Sequence, residues 1–498
     1  MRICYTVAAA AALLPLAIAR TIHTKVAIMG GGVSGISAAR NLTAGGVDDF
    51  LIIEARDELG GRAQNTDFAN IKVEVGCNWV QGLGTNPINI LRKKYGLETA
   101  ANDGANVVFY DDTGPVNYTE AFNTYGDAYD RMSELADKRV ENGQVDISAR
   151  VGLDLAGWYP LTPLERAVEY YNFDWEYGEN PEVSSLLHGI ENDENSYGNT
   201  AFGEDSDGDL FVVDQRGFKH IFLEAANEFL EKNDSRVLLS TKITKVAYDV
   251  NGVTIYTDSD VTIKAAYAIS TFSVGVLQHR DVEFSPRLPD WKMEGIYGFN
   301  MATYTKIFLN FPYQFWDDNQ YTMYVDPDRR GYFAAWQNLN APGFFPKNTS
   351  TNVFFVTVTQ DYSYQVDSMA DEEVKAEAMK VLRSMYGSDI PEATDILVPR
   401  WHSNPLYRGS YSNWPIGELD QHHVNMKAPV QNRLFFAGEA MSKSFYGFLQ
   451  GAWYSGAETA SQILQCIDSG CVEIEYYPLI LKSKTYMKKR GLVKASLN

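Results

Sequence analysis

Apolar runs of strand length alternate with amphipathic helical patterns along most of this chain. Near the start, Val26–Met29 and Phe50–Ile53 are apolar runs separated by a helical pattern, which predicts two buried parallel strands joined by a helix. The later pattern predicts helices at 119–141, 163–175 and 371–386, a strand–turn–helix over 211–230, a hairpin turning at Asn251-Gly252, strands within 300–360, and a strand at Arg433–Ala437 before a helix from Gly451. This alternation predicts an α/β protein with two discontinuous domains, each assembled from separated segments.

A glycine-rich turn connects the first predicted strand to its helix. It reads Gly30-x-Gly32-x-x-Gly35, and Glu54 follows the second strand. The three glycines suit, in order, a tight turn, the close approach of a pyrophosphate to the helix N-terminus, and close contact between helix and sheet. A carboxylate at the end of the second strand accepts hydrogen bonds from a ribose. This order of elements predicts a dinucleotide-binding site.

A second glycine turn, Gly60-Gly61-Arg62, follows shortly after Glu54. It adds backbone N–H groups and a guanidinium that can bind the same pyrophosphate. These added contacts favour tightly held FAD over exchangeable NAD.

The N-terminal segment has the pattern of a signal peptide. A basic start, Met1-Arg2, precedes an apolar core from Val7 to Leu14, and Ala17-Ile18-Ala19 is a small-x-small cleavage site. A membrane anchor is the alternative, but the apolar run is shorter than the ~18 to 20 residues that span a bilayer, and no later stretch is long enough. We predict that residues 1–19 are removed and that the protein is secreted with no membrane span, with the cell wall or the vacuole as alternative destinations.

Composition and charge exclude one class of partner. The chain has 498 residues and a net charge of −21, which is the wrong sign for binding nucleic acid phosphates. The seven His residues are scattered, and no Cys/His group has the spacing of a metal site. We therefore expect neither a nucleic acid partner nor a metal ion.

The cysteines and the glycosylation sequons agree with an oxidising compartment. Cys466 and Cys471 are close enough in sequence for a local disulfide, and Cys77 then remains as a buried, inert thiol. The Asn-x-Ser/Thr sites include Asn41, which falls within the first predicted helix. We predict glycosylation at the other three sites, Asn117, Asn233 and Asn348.

Taken together, these segments closely resemble the flavin-dependent polyamine oxidases of the secreted plant and fungal type, within the wider flavin amine oxidase family. The resemblance runs from Lys25 to about Cys471 and is carried by GGGVSGISAARNL, Glu54, GGR, VGCNWVQG, YNFDWEY, VVDQRG, YTKIFLNF, ILVPRW, SYSNWPIG, and FAGE followed by YGFLQGAW. It implies the amine oxidase fold, in which a Rossmann-like FAD-binding domain is joined to a substrate domain of mixed sheet flanked by helices.

The resemblance places the flavin at the junction of these two domains and suggests their boundaries. The FAD-binding domain is expected to comprise residues 24–102, 203–283 and 407–472, and the substrate-binding domain residues 103–202 and 284–406. Residues 473–498 form a basic tail that we interpret as a solvated extension. We expect a monomer.

The resemblance also implies roles for residues on the flavin side. Glu54 matches the acid that binds the adenosine ribose, Arg62 a contact to the pyrophosphate and flavin, and Val246 a backbone position beside the adenine. Glu439 matches an acid near the ribityl chain. Residues 440–444 read AMSKS, without the cysteine that binds the flavin of monoamine oxidases, so FAD is expected to be non-covalent. The other implied cofactor contacts are Gly30, Gly32, Gly35, Gly61, Trp79, Trp401 and Gly438.

On the substrate side, Lys306 matches the lysine that approaches flavin N5 through a water. A surface lysine on an edge strand is the alternative interpretation. Tyr411 and Phe448 match the aromatic pair that sandwiches the substrate amine, although without the resemblance both would be assigned to the core. Tyr304 is a further substrate contact. Glu176 matches the tunnel acid that binds distal ammonium groups, with a purely structural acid as the alternative.

The implied reaction is the oxidation of a secondary amine in spermine, spermidine or their acetylated forms. The neutral amine gives a hydride to flavin N5, the imine is hydrolysed to an amine and an aldehyde, and oxygen is reduced to hydrogen peroxide. The partners are therefore a cationic amine and oxygen. The aromatic walls hold and desolvate the uncharged amine, because low polarity depresses an ammonium pKa.

Gln81 departs from the family pattern, which has an acid in plant relatives and a histidine in many animal ones. A glutamine side chain hydrogen-bonds an ammonium or an acetamide but carries no charge. The preference for fully charged polyamines is therefore open at this point. Two other functions also stay open, an oxidase of a bulkier amine in a secondary-metabolite pathway and a non-catalytic flavoprotein.

Overall fold

The computed structural model describes residues 20–190, 202–203, 206, 208–345 and 351–478. The predicted signal peptide, the Asn348 sequon and residues 479–498 of the predicted tail lie outside the described residues. None of the helices within the described ranges has the length and apolar character needed to cross a membrane.

The strands of the described residues are, in chain order, β1 Arg20–Met29, β2 Phe50–Ile53, β3 Asn65–Phe68, β4 Ile71–Glu74, β5 Trp79–Gln81, β6 Thr99–Asn102, β7 Val107–Asp111, β8 Gly114–Val116, β9 Asp209–Val212, β10 Val237–Leu238, β11 Ile243–Asp249, β12 Gly252–Thr257, β13 Val261–Ser270, β14 Glu283–Ser285, β15 Asn300–Ala302, β16 Tyr304–Asn310, β17 Tyr321–Tyr324, β18 Ala335–Asn338, β19 Val353–Thr359, β20 Asp395–Leu397, β21 Tyr411–Asn413 and β22 Leu434–Phe436.

The helices are α1 Val33–Ala44, α2 Pro87–Lys94, α3 Thr119–Glu141, α4 Ala149–Leu155, α5 Pro163–Glu169, α6 Trp175–Tyr177, α7 Lys219–Asn227, α8 Val274–His279, α9 Asp290–Gly298, α10 Gln360–Ser368, α11 Asp371–Tyr386, α12 Asp420–Lys427 and α13 Leu449–Ser469. A π-helical turn, Tyr170–Asp174, joins α5 to α6, and a 3₁₀ turn covers Glu439–Met441. The predicted helices at 119–141 and 371–386 are confirmed, whereas the predicted helix at 163–175 is interrupted by the π-helical turn.

The first large sheet has eight strands in the order β10-β2-β1-β13-β12-β11-β14, with β22 also paired to β13. Strands β10, β2, β1, β13 and β22 run parallel to their neighbours in this list. The apolar runs Val26–Met29 and Phe50–Ile53 are buried, as a parallel sheet covered on both faces requires. The predicted β1–α1–β2 order and the hairpin at Asn251-Gly252 are both confirmed.

Helix α13 lies along α1 on one face of this sheet. The Ser37 hydroxyl donates a hydrogen bond to the carbonyl oxygen of Trp453 at 2.6 Å, and the Asn41 side-chain amide donates to the carbonyl oxygen of Ala457 at 2.8 Å. The side chain of Asn41 is therefore engaged in hydrogen bonds within the protein. Asn117 and Asn233 are exposed at the surface.

The second large sheet has seven strands in the order β20-β16-β19-β18-β17-β7-β8. One face packs on α3, α4 and α5 through Phe109, Tyr321 and Met323. The other face packs on α11 through Ile307 and Leu309. Helices therefore flank this mixed sheet on both sides, in agreement with the predicted substrate domain.

A three-stranded sheet, β5-β9-β6, stands beside the two large ones. Phe211 of β9 packs in one core with Phe308 of β16 and Phe355 of β19. Residues from the two predicted domains thus share this core. At the C-terminal end of α13, Cys466 and Cys471 form the predicted disulfide.

Candidate active site

One cavity, with a volume of about 340 Å³, is lined by residues from both large sheets and from the three-stranded sheet. Its wall contains most of the predicted flavin and substrate contacts. From the list of predicted residues, the wall includes Gly30, Gly32, Glu54, Gly61, Arg62, Trp79, Gln81, Glu176, Tyr304, Lys306, Trp401, Tyr411, Gly438, Glu439 and Phe448. The cavity therefore joins the predicted cofactor site to the predicted substrate site.

The two glycine turns meet at one end of this cavity. Gly60 N–H donates a hydrogen bond to the Gly31 carbonyl oxygen at 2.9 Å, and Gly60 forms a bridge with Gly32. Gly60 has a φ of +123°, which favours glycine. Gly35 lies within α1 and does not line the cavity, but a Cβ there would stand 2.1 Å from the Gly30 carbonyl oxygen. Gly35 thus permits the close helix–turn contact that the sequence predicts.

The groups around this turn fit a dinucleotide. Glu54 accepts a hydrogen bond from the Gly31 N–H and another from the Arg56 N–H, both at 2.8 Å, so its carboxylate is fixed at the cavity wall. Helix α1 begins at the cavity without a side-chain cap, which leaves N-terminal N–H groups for an anion. The Ser34 hydroxyl, also on the wall, is buried and has no hydrogen-bond partner among the described residues. A pyrophosphate would supply acceptors for these donors.

Arg62 ties the glycine turns to the C-terminal part of the cavity wall. Its Nη1 donates to the Ser410 carbonyl oxygen and to Glu439 Oε1, each at 2.9 Å. Glu439 also accepts hydrogen bonds from the Ser412 hydroxyl and the Gly447 N–H. The guanidinium and the carboxylate are therefore held in fixed positions between the two predicted halves of the flavin site.

The prediction for Val246 does not fit the structure. Val246 is fully buried in the core beneath the first sheet, and the residues of this region that line the cavity are Thr241, Lys242 and Ile243. The pairing of β11 with β12 is irregular between Ile243 and Lys245, which shifts the strand register there. A backbone position beside a nucleotide base is thus available at Ile243 rather than at Val246.

Lys306 lies on the cavity wall and is only 3% exposed. Its strand, β16, is an interior strand of the second sheet, so the alternative of a surface lysine on an edge strand is wrong. Its Nζ donates to the carbonyl oxygens of Glu74 and Gly76 and to the Asn78 side-chain oxygen. Burial lowers the pKa of Lys306 to about 7, and the nearby Glu74 carboxyl partly opposes this shift.

The pKa values of two titratable neighbours of Lys306 are raised, whereas that of Lys306 is lowered. Burial raises the pKa of the Glu74 carboxyl to about 7, partly opposed by a hydrogen bond from the Phe218 N–H. Burial raises the pKa of the Cys77 thiol to about 12, which keeps it protonated. Cys77 is half-buried and lines the cavity, and its protonated state agrees with the predicted inert thiol.

A row of aromatic rings forms the wall between Lys306 and the predicted substrate acid. Ring centroids are 5.7 Å apart for Trp79 and Trp175, 6.5 Å for Trp175 and Tyr304, and 5.9 Å for Tyr304 and Tyr411. Phe448 lines the same cavity from the position just before α13. Burial raises the pKa of Tyr304 and Tyr411 well above the ordinary value, so this part of the cavity disfavours charge on a buried group.

Glu176 reaches the cavity from the short helix α6 that follows the π-helical turn. Its carbonyl oxygen accepts a hydrogen bond from the Tyr411 hydroxyl at 3.0 Å. The Gln81 side-chain N–H donates to Glu176 Oε1 at 3.5 Å. The structure thus brings the predicted acid, the predicted glutamine and the predicted aromatic residue together.

A buried ion-pair network holds both ends of this π-helical turn. Arg330 pairs with Glu169 and with Asp174, and Arg150 also pairs with Glu169. Burial raises the pKa of Glu169, but the two guanidinium groups outweigh it and hold this pKa below the ordinary value. At Asp174 burial prevails over Arg330 and raises the pKa to about 6. None of these charges was singled out from the sequence.

Several residues that line the cavity were not assigned a role from the sequence. They are Ser34 near the start of α1, Asn78 next to Trp79, Trp175 and Tyr177 on either side of Glu176, and Asn102 and Asp209 in β6 and β9. Trp175 and Tyr177 stand in the YNFDWEY run that carries the resemblance, which could have pointed to them. No group of three or more His, Cys, Asp or Glu side chains in the described part of the chain could hold a metal ion.

The chain matches known proteins over most of its length. Residues 33–464 match the model of a family described as flavin containing amine oxidoreductase. Polyamine oxidase 1 of Zea mays is 36% identical over 495 residues, which cover 92% of this chain and 95% of that protein. Polyamine oxidase 6 of Oryza sativa subsp. japonica is 36% identical over 479 residues, 92% of this chain and 94% of that protein.

The fold also matches solved structures. Putrescine oxidase, solved as the wild type bound to putrescine, superposes with a TM-score of 0.70 at 18% sequence identity. The match covers 89% of this chain and 99% of that chain. At this identity the similarity establishes the fold, a two-domain α/β architecture.

Proposed function

Because this chain belongs to the flavin-containing amine oxidoreductase family, we propose that it oxidises a polyamine at a carbon beside a secondary amino group. The family and the plant relatives imply non-covalent FAD as the cofactor, and residues 440–444 offer no cysteine for a covalent link. When bound, FAD supplies the acceptor for a hydride from the carbon and returns the electrons to oxygen as hydrogen peroxide.

The observation that carries this proposal is the continuity of the cavity. The same wall that carries the glycine turns and Glu54 also carries Lys306, the aromatic row and Glu176. An amine bound between Tyr411 and Phe448 would therefore lie beside Lys306, with its distal end toward Glu176. This arrangement suits an extended amine with a positive charge away from the reacting nitrogen.

The aromatic row prepares the amine for oxidation. Only a neutral amine has the free lone pair that assists loss of hydride from the neighbouring carbon, and desolvation by Tyr304 and Tyr411 lowers an ammonium pKa. The Tyr411 hydroxyl is already bonded to the Glu176 carbonyl oxygen, so its ring is held in place. Water that enters afterwards hydrolyses the imine to an amine and an aldehyde.

In this proposal Lys306 is the residue that holds a proton beside the reacting atoms. Its pKa near 7 lets the same Nζ donate or accept a proton at neutral pH. The surrounding oxygens of Glu74, Gly76 and Asn78 fix the position of Nζ while it does so. We assign to Lys306 the proton transfer that accompanies oxygen reduction.

A peroxide-coupled screen tests this proposal. Spermine, spermidine, their acetylated forms and simple monoamines are each incubated with the purified protein, and the products are identified by mass analysis. Peroxide with at least one polyamine, together with an aldehyde product, is the expected result. Peroxide from monoamines alone, or from none of these amines, would overturn the polyamine assignment.

A bulkier amine of a secondary-metabolite pathway is the second candidate substrate. The uncharged Gln81 at the cavity wall favours it, because a carboxamide also hydrogen-bonds neutral polar groups. Adding alkaloid and peptide amines to the same screen separates the two candidates. A non-catalytic flavoprotein would give no peroxide with any amine.

We also propose that the protein is secreted, glycosylated and monomeric. Secretion is proposed from the signal-peptide pattern of residues 1–19, and glycosylation from the exposed sequons at Asn117 and Asn233. Sequencing the N-terminus of the protein recovered from the culture medium of a eukaryotic host is expected to give Arg20 as the first residue. Glycosidase treatment should lower its mass, and recovery only from the cell interior would contradict secretion.

A further inference from the structure

Asp209 lies on the cavity wall directly across a strand pair from Gln81. It is the first residue of β9, and its Cα is the register partner of Gln81 in β5 and of Asn102 in β6. All three residues line the cavity. The sequence alone does not link Asp209 to Gln81, because 128 positions separate the two residues along the chain.

The carboxylate of Asp209 has a fixed orientation. Its Oδ1 accepts a hydrogen bond from the Gly82 N–H at 3.0 Å. Gly82 follows Gln81 at the end of β5, so the contact holds the Asp209 carboxylate beside the Gln81 position. Asp209 is half-buried, which reduces the screening of its charge by solvent.

Gln81 is thus flanked by two carboxylates. On one side its side-chain N–H donates to Glu176 Oε1 at 3.5 Å, and on the other its backbone pairs with Asp209. The same two carboxylates both act on one phenol. Burial raises the pKa of Tyr321, and the negative charges of Asp209 and Glu176 add to that rise. Both acids therefore lie within electrostatic reach of one ring at this end of the cavity.

A primary ammonium group has three N–H donors and one positive charge. Two carboxylates and one carboxamide offer three acceptor groups and more than enough negative charge to compensate it. An N-acetylated end has one N–H and no charge, so it gains much less from the same groups.

We propose that Asp209 and Glu176, with Gln81 between them, bind one primary ammonium end of the substrate. Asp209 supplies the negative charge that Gln81 lacks, and the pocket selects polyamines whose distal end is not acetylated. This inference rests on the proposed polyamine oxidase function and identifies the form of the substrate.

The variant Asp209→Asn tests this role. Asparagine keeps an oxygen that can accept the Gly82 N–H, so the fold at β9 is retained while the charge is removed. Removing the charge weakens the electrostatic attraction of the pocket for an ammonium group, and we expect roughly a tenfold rise in KM for spermidine and spermine. The value of kcat, the flavin content and the KM for a simple monoamine should remain within about twofold.

A matched control removes an equal charge away from the cavity. Asp67 in β3 has a side chain that is 84% exposed and pairs with Lys72. Asp67→Asn should leave every KM unchanged. That result would show that the loss of net charge alone does not cause the rise in KM expected for Asp209→Asn. Selectivity for spermine over its N-acetylated form should fall in Asp209→Asn and persist in Asp67→Asn.

The outcomes separate this inference from the proposed function. If the wild-type protein oxidises polyamines but Asp209→Asn leaves their KM unchanged, Asp209 has no such role and the function stands. If Asp209→Asn raises KM for monoamines and polyamines alike, the residue is structural and the inference is overturned. If the wild-type protein oxidises no polyamine, the proposed function itself fails.

Discussion

The two walls of the cavity are built by different means. On the flavin side, the backbones of the two glycine turns and of α1 pack closely: a Cβ at Gly35 would stand 2.1 Å from the Gly30 carbonyl oxygen, and a Cβ at Gly61 would stand 3.0 Å from the Gly32 Cα. On the substrate side, Glu176 and Trp175 follow a π-helical turn whose ends are held by Arg330, Glu169 and Asp174. One wall depends on backbone geometry and the other on buried charges.

This difference determines how each wall tolerates change. A backbone contact between glycines is lost with a single added methyl group, because neither partner has a flexible side chain to move. A buried ion pair is stable only while each charge keeps its partner, since an isolated buried charge is costly. Substitutions that add volume should therefore disrupt the flavin wall, and substitutions that remove a charge should disrupt the substrate wall.

The largest effect is expected from Gly35→Ala on the flavin wall. The new Cβ would stand 2.1 Å from the Gly30 carbonyl oxygen, so the turn must open and its N–H groups move away from the pyrophosphate. We expect the purified variant to contain almost no FAD, as measured by the ratio of flavin to protein absorbance. Gly126→Ala is the matched control, because its Cβ would meet nothing within 4 Å. A normal flavin content in Gly35→Ala would show that the turn is not limited by this contact.

Arg330→Met applies the corresponding test to the substrate wall. It leaves Glu169 and Asp174 without one of their partners, and breaking a buried pair in this way typically costs about 3–5 kcal/mol of stability. We expect a lower unfolding midpoint and a raised KM for polyamines, with flavin bound as in the wild type. Arg287 is 64% exposed and pairs with Asp290, which is 61% exposed, so the control Arg287→Met should cost no more than about 1 kcal/mol. Equal losses in the two variants would contradict a special role for the buried network.

Lys306→Met probes the point where the two walls meet. Removing the proton carrier should slow reoxidation by oxygen about a hundredfold, while anaerobic reduction by amine changes only a few-fold. The Lys306 pKa of about 7 means that the ammonium form is lost as pH rises through 7. Reoxidation by the wild type should therefore fall above pH 7, and the variant should show a flat profile.

Lys292→Met is the control for Lys306, because it removes another fully buried lysine that does not line the cavity. Stopped-flow absorbance measures the two half-reactions separately. If Lys306→Met left both rates and the pH profile unchanged, the assigned proton transfer would be wrong.

The smallest of these effects is expected for Glu176→Gln. Removing one carboxylate from a distal ammonium should weaken binding by a net ~2 kcal/mol, or roughly thirtyfold in KM for spermidine. A simple monoamine should be nearly unaffected. Glu182→Gln is a suitable control, since that side chain is 53% exposed and pairs with Arg150. Equal losses on short and long amines would mean that Glu176 is a structural acid.

The sequence predicted the flavin wall better than the substrate wall for a physical reason. The order of strand, glycine turn, helix, strand and Glu54 is local, so its contacts follow from neighbouring residues. Asp209 was missed because it meets Gln81 only through the register of two distant strands. Val246 was predicted to lie beside the adenine because the irregular pairing at the start of β11, where Ile243 lines the cavity, has no signature in the sequence.

The buried charges of the substrate wall were missed for a related reason. Arg150 and Arg330 look like ordinary surface residues in sequence, and only the tertiary fold brings them to Glu169. Lys306 was recognised because a lysine within an apolar strand is unusual, and the resemblance then gave it a role.

The packing of α13 on α1 has a consequence for the order in which the protein is made. Ser37 and Asn41 of the first helix bond to Trp453 and Ala457, about four hundred positions later in the chain. A ribosome therefore finishes nearly the whole polypeptide before the N-terminal helix finds its partner. The nucleotide-binding end is therefore encoded first but completed last. FAD can bind the complete site only after synthesis of the chain has reached α13.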